Sequence, residues 1–256
     1  MSVITLCTDF GSYDSYAASM KGVILGINPK ATIIDVTHNI PAHNIAAAAF
    51  VLNGYYSYFP KNSVHVVVVD PGVGGRRYDM VLRTGDYLFI GPDNGVFSYI
   101  LISQPSVCYE LKSRHTVSTT FHGRDIFAPA AARLSIKWDR SVVGNIIRRP
   151  VILDSPKPII SSRGITGEVI HIDHFGNLIT NIPSDKLKIR TVNKSLAIFI
   201  KGVKINGIQE TYERCGNGLP CAIINSSGLL EIAVNSGSAY EKLGVNRGDK
   251  VNVLWK

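Results

Sequence analysis

Three apolar runs, "VITLC" (3–7), "TIIDV" (32–36) and "VHVVVV" (64–69), recur at nearly even spacing, separated by segments of helix length. A run that is apolar at almost every position offers no face to water, so it belongs in a strand covered on both sides. "YDSYAASMKGVILGI", stopped by Asn28-Pro29, and "NIAAAAFVLNGYY" supply the intervening helices. This βαβαβ start predicts an α/β amino-terminal domain with a largely parallel sheet. Such folds place their sites at the carboxyl ends of the strands, where Asp9 and Asp70 stand.

Further on, "DMVLRT", "YLFIG" and "VCYEL" read as strands, "GVFSYILI" as a helix, and the residues after "FHGRD" as a helix of small side chains. At about residue 150 the character changes. "RRPVILDSPKPIISSRG" is rich in Pro and Ser and reads as a linker. Beyond it, helix-length segments give way to "GEVIHID", "NLITNI", "SLAIFI", "CAIINSSGLLEIAV" and "KVNVLW", separated by Gly, Asn and Asp turns. The expectation is an α/β domain over residues 1–155 and a smaller all-β carboxyl-terminal domain over 164–256. Sandwich and small barrel fit the spacing equally.

The 256 residues are 45% hydrophobic and 18% charged, the balance of a folded globular protein. A formal net charge of +8 raises nucleic acid as a partner, but the basic residues are dispersed and reach no more than pairs such as Arg76-Arg77 and Arg148-Arg149. A solvated basic surface accounts for them, and no nucleic-acid partner is expected. Cys7, Cys108, Cys215 and Cys221 form no CxxC pair, and the first two lie in apolar runs typical of reduced core thiols. With no signal-like amino terminus and no apolar run of membrane-spanning length, the expected setting is the cytoplasm, away from membranes.

"VVVVDPGVGGRRYD" (66–79) is neither a P-loop nor a dinucleotide fingerprint, since it carries neither GxxxxGK[ST] nor GxGxxG. It leaves Asp70 at a strand end, then Pro71 and a glycine turn able to bring Arg77 back beside it. Such a pair is either a structural ion pair or a carboxylate held ionised for chemistry. "FHGRDIFAP" presents His122 in a glycine-broken turn ahead of a helix. "TDFG" places Asp9 where it can accept from ribose hydroxyls or cap a helix, a role Ser12 could also fill. "HIDHFGNLITN" gathers His171, Asp173, His174, Phe175, Asn177 and Asn181. Strand alternation sends neighbours to opposite faces, which disfavours a metal site, while Phe175 and Asn177 suit stacking and edge recognition of a base, or simply a hairpin. Ser226 in "NSSG" and the nearby Glu231 could hold an amino-acid head group.

Taken in order, "TDFG", "DVTH", "VVDPGVGGRR", "GPDNG", "FHGRDIFAP", "IDHFGNLITNI" and "NSSGLLEIAVNSGSA" resemble the adenosine-forming S-adenosylmethionine (SAM) hydrolases, or SAM hydroxide adenosyltransferases, whose relatives include fluorinase and chlorinase. The resemblance implies an amino-terminal α/β domain carrying the ribose-binding and water-activating residues and a β domain contributing nucleoside and methionine contacts. It implies a homotrimer with active sites between subunits. It assigns Asp70, Arg77 and His122 to the attacking water, with Arg76 the less fitting neighbour. It assigns Asp9 to the ribose, Asp173, Phe175 and Asn177 to nucleoside and methionine, and Ser226 to the region of adenine and sugar. No metal and no cofactor is implied, SAM being the substrate and adenosine and L-methionine the products. In the halogenating relatives a tyrosine matches Asp70, and in fluorinase a serine matches Gly123, so this chain departs from the fluorination pattern at both positions. A halide-dependent enzyme and a non-catalytic nucleoside binder are the competing expectations.

Overall fold

The computed structural model describes residues 2–112, 117–191 and 196–255, without the side chains of 188–191. It divides into two compact units, Met1–Leu153 and Asp154–Lys256.

In the first unit the strands are β1 (Ser2–Thr8), β2 (Ala31–Thr37), β3 (Val64–Val68), β4 (Asp79–Arg83), β5 (Leu88–Pro92), β6 (Val107–Leu111) and β7 (Val143–Ile146). The helices are α1 (Tyr16–Ile27), α2 (Ile45–Tyr55), α3 (Ser98–Ser103) and α4 (Ala128–Ile136). One sheet runs β2-β1-β3-β5-β4-β6-β7. Both faces are covered, and β3 shows why every residue of it but His65 is apolar. Val64, Val66 and Val68 pack with Met20 and Ile24 of α1 and Ala131 of α4, while Val67 and Val69 pack with Leu52 of α2 and Ile100 of α3.

The largely parallel sheet is corrected to a mixed one. β1 with β2, β1 with β3 and β3 with β5 are parallel, whereas β4 with β5, β4 with β6 and β6 with β7 are antiparallel. For the β4–β5 pair the cause is connection length. Helix crossovers join β1 to β2 and β2 to β3, but only Thr84–Tyr87 separate β4 from β5, too few residues for anything except a hairpin.

The second unit holds β8 (Ile159–Ile160), β9 (Gly164–Ile172), β10 (Leu178–Pro183), β11 (Leu196–Ile200), β12 (Val203–Asn206), β13 (Pro220–Ile224), β14 (Leu229–Val234) and β15 (Lys250–Trp255). Every strand pairing is antiparallel, in the order β12-β11-β15-β9-β10-β14-β13, with β8 added to β9. The terminal strands β12 and β13 meet, so the sheet curls toward a barrel around Ile165, Leu178, Ile198, Ile232 and Val253. The all-β expectation is corrected by two short helices, α5 (Ser184–Thr191) and α6 (Ala239–Leu243). α6 is capped by Ser238, whose Oγ accepts from Glu241 N at 3.1 Å, and closed by Gly244 in the left-handed region.

Cys7 and Cys108 are buried free thiols, as their apolar runs suggest, whereas Cys215 and Cys221 form a disulfide that the sequence reading did not foresee. Among the described residues, no helix is long and apolar enough to cross a membrane.

Candidate active site

Asp70 follows the end of β3, where its strand is pinned by Asn94 Nδ2 donating to Val69 O at 2.8 Å. The chain then doubles back through Gly74 at φ +74°. A Cβ there would stand 2.3 Å from Thr119 O, so this turn requires glycine on two counts. The turn leaves Arg76 exposed and returns Arg77 to Asp70. Arg77 Nε lies 3.1 Å from each Asp70 oxygen, and Nη2 also donates to Oδ2. Nη1 donates to Asp79 Oδ1 at the start of β4. Burial pushes the guanidinium pKa down, and Asp70 and Asp79 outweigh it, holding the group above its ordinary range.

His122 precedes a π-helical turn, Gly123–Phe127, that runs into α4. Its Nδ1 lies 3.0 Å from Arg77 Nη2 and 3.1 Å from Asp79 Oδ1. Asp79 is a member of this cluster that the sequence reading missed. Its signal was the i+2 spacing from Arg77 at the mouth of a strand, which sends both side chains to one face.

Asp70 and His122 line a cavity of about 260 Å³ together with Asp9, His43 and Phe121. Asp9 does not cap the following helix: α1 begins at Tyr16 behind Ser15, and Asp9 Oδ2 instead accepts from His43 N at 2.8 Å. The loop that carries Asp9 is held from behind by "DVTH". Thr8 Oγ1 contacts His38 Nδ1 at 2.8 Å, His38 Nε2 lies 3.0 Å from Asp35 Oδ1, and Gly11 N donates to His38 O.

The second unit has its own cavity, of about 610 Å³, lined by Asp173, Phe175, Asn177, Tyr212, Asn235 and neighbouring backbone. Asp173 organises the turn between β9 and β10. Its Oδ1 accepts from Phe175 N and Asn177 N, both at 2.9 Å, and Oδ2 accepts from Asn177 Nδ2 at 2.9 Å. Gly176, at φ +79°, touches Ser238 so closely that a Cβ would sit 2.1 Å from its Oγ. The turn leaves the Phe175 ring 74% exposed, a flat apolar surface with no core to fill.

Glu231 and Ser226 are placed differently from the other candidates. Glu231 is buried in β14 behind Tyr212, whose hydroxyl donates to Oε1 at 2.7 Å. Burial raises the Glu231 pKa, against the lowering effect of the Tyr212 and Asn225 hydrogen bonds. Ser226 is exposed in the turn between β13 and β14 and is not among the residues lining the cavity. Tyr212 and Asn235 were missed by the sequence reading because they lie in irregular segments without a periodic signal. Among the described residues, no three of His, Cys, Asp or Glu gather as metal ligands.

Comparison with known proteins agrees with the division into two units. Residues 4–144 match the SAM hydroxide adenosyltransferase N-terminal domain and residues 167–252 the C-terminal domain of that family. An (R)-S-adenosyl-L-methionine hydrolase of Methanocaldococcus jannaschii is 36% identical, spanning 100% of this chain and 97% of the relative. One from Salinispora tropica is 34% identical over 98% and 97%. A fluorinase of Actinoplanes sp. is more distant, at 26% over 98% and 97%. A crystal structure of an uncharacterised conserved protein from Thermotoga maritima superposes with a TM-score of 0.90 at 35% identity, covering 98% of this chain and 99% of the other. With both domain models matched in order and full-length relatives above 30% identity, the chain belongs to the SAM hydroxide adenosyltransferase family.

Proposed function

We propose that this protein hydrolyses S-adenosyl-L-methionine to adenosine and L-methionine. The observation that carries the reading is a carboxylate, Asp70, gripped by Arg77 beside His122 on the wall of a cavity that also presents Asp9. A water held there attacks the ribose C5′. The C5′–S bond breaks, and its electron pair leaves on sulfur as a neutral thioether. A sulfonium is already a good leaving group, so the protein chiefly has to orient and deprotonate the nucleophile. Arg77, matched by two carboxylates, acts by fixing Asp70 and carries no surplus positive charge to attract hydroxide.

Asp9 receives the ribose hydroxyls with the oxygen that His43 leaves open. Phe175 stacks on the purine, and the Asn177 amide reads its edge through its acceptor and its remaining N–H. Glu231 sits behind Tyr212 and orders that hydroxyl at the edge of the second cavity, with Asp173 toward the nucleoside and methionine and Ser226 toward the adenine and sugar. Neither cavity alone carries the full set of contacts. In line with the family resemblance, we propose a homotrimer in which neighbouring subunits complete each site, with no metal or cofactor taking part.

A fixed carboxylate at Asp70 opposes a halide in the nucleophile position, since like charges repel strongly in a site shielded from water. The test is incubation of the purified protein with SAM, with and without added chloride or fluoride, followed by chromatography. Adenosine formed at the same rate without halide is the expected result. A 5′-halo-adenosine that forms only with halide, or tight binding without product, would overturn it. Sedimentation of the same preparation reads the oligomeric state.

A further inference from the structure

We propose that Asp79 is a positioning residue for the hydrolytic step. It holds the His122 ring and keeps the imidazole proton on Nδ1, so that Nε2 takes the proton of the attacking water. This rests on the reading of the first cavity as a SAM hydrolase site.

Asp79 is rigidly placed. It opens β4, paired with Pro92 of β5, and its neighbour Met80 is buried in the core. Its Oδ1 receives Arg77 Nη1 and stands 3.1 Å from His122 Nδ1. Arg77 Nη2 stands 3.0 Å from the same nitrogen, and Nδ1 can serve only one of them: it donates to the carboxylate or accepts from the guanidinium.

Charge decides between the two. Asp70 and Asp79 bring two negative charges and Arg77 one positive, so the cluster without the imidazole is net negative. An N–H directed into it is stabilised, whereas a lone pair directed at Asp79 is not. With the proton on Nδ1, Nε2 keeps its lone pair, and it makes no hydrogen bond to any described residue. Asp70 is the poorer acceptor for the transferred proton because Arg77 already donates to both its oxygens.

The step balances. As the O–C5′ bond forms, the C5′–S bond breaks with its electrons going to sulfur, and one water proton moves to Nε2. Positive charge thereby passes from the sulfonium to an imidazolium that faces a cluster of opposite sign. Proton release from His122 to solvent then resets the site.

The other ionisable groups around His122 are Arg77 and Asp70, Asp125 on its own helical turn, and Asp9 and His43 across the cavity. Asp79→Asn removes the charge that faces His122 Nδ1 and receives Arg77 Nη1, while keeping a side chain of the same shape. The variant is expected to lower kcat roughly 10²–10⁴-fold, the scale of a lost acid–base contribution, with KM for SAM within a few-fold. Asp79→Asn combined with His122→Ala is no slower than His122→Ala alone, since Asp79 acts through the ring. Independently of turnover, nitrogen-15 NMR of histidine-labelled wild-type protein should show the neutral His122 protonated on Nδ1. A wild-type Nε2–H tautomer or full additivity in the double variant would overturn the proposal. If wild-type protein releases no adenosine from SAM, the hydrolase reading fails, and the tautomer measurement still decides what Asp79 does.

Discussion

The carboxylate of Asp9 accepts the backbone N–H of His43 at 2.8 Å, and His43 holds a left-handed φ of +63°. The bond ties the end of β1 to the segment entering α2 and leaves one Asp9 oxygen for a ligand. Asp9→Ala is expected to raise KM for SAM and Kd for adenosine about 10–100-fold, because hydrogen bonds to a charged group contribute about 1.5–3 kcal/mol. Its kcat should change far less. Steady-state kinetics and adenosine titration check both.

Gly74→Ala tests the turn that returns Arg77 to Asp70. The new Cβ must displace Thr119 O from 2.3 Å in a backbone conformation that costs an L-residue energy of its own. The expected loss is about 1–3 kcal/mol in urea unfolding, with a fall in kcat larger than any rise in KM.

His65 gives the fold a sensitivity to acid. It is fully buried between Tyr55, Phe59, Tyr87 and Phe89, bonds only Thr5 through Nδ1, and has no partner for Nε2. Burial lowers its pKa from 6.5 to about 3. Between those values the unfolded chain binds the proton and the folded chain does not, so stability is held above pH 6.5 and declines as pH falls toward 3. At about 1.4 kcal/mol per pH unit, the contribution lost has an upper bound of about 5 kcal/mol. His65→Leu should flatten the decline in urea midpoint between neutral and acid pH; an unchanged slope would remove His65 as its cause.

The Cys215–Cys221 disulfide closes the segment that follows Tyr212, and Cys215 O accepts from Asn235 Nδ2 at 3.0 Å. Both Tyr212 and Asn235 line the second cavity. Reduction, or replacement of both cysteines by serine, should raise KM for SAM several-fold while leaving kcat nearly unchanged. A stability loss of about 2–3 kcal/mol is expected, as for other short disulfide loops.

What could be read from the chain followed physical regularity. Asp9, Asp70 and His122 stood out because strand ends and glycine-broken turns are visible as patterns, and "DPGVGGRR" leaves few ways to fold except back on itself. The order β5-β4-β6 was not legible, because the run "DMVLRT" is equally apolar in a parallel or an antiparallel setting and only the four-residue connection decides. Asp79 was hidden as an ordinary polar residue at a strand start. The disulfide was hidden because its cysteines stand six positions apart, with nothing in that spacing to distinguish a bond from two thiols. Glu231 was read as able to hold an amino-acid head group, and its burial in β14 against Tyr212 was not legible.

The central claim is attack by water at C5′, and oxygen-18 water tests it most directly. Turnover of SAM in labelled water should place one heavy oxygen in the 5′-hydroxyl of adenosine and none in L-methionine, as read by mass spectrometry of the separated products. Adenosine without label, or label carried by a fragment of the amino-acid chain, would contradict the account.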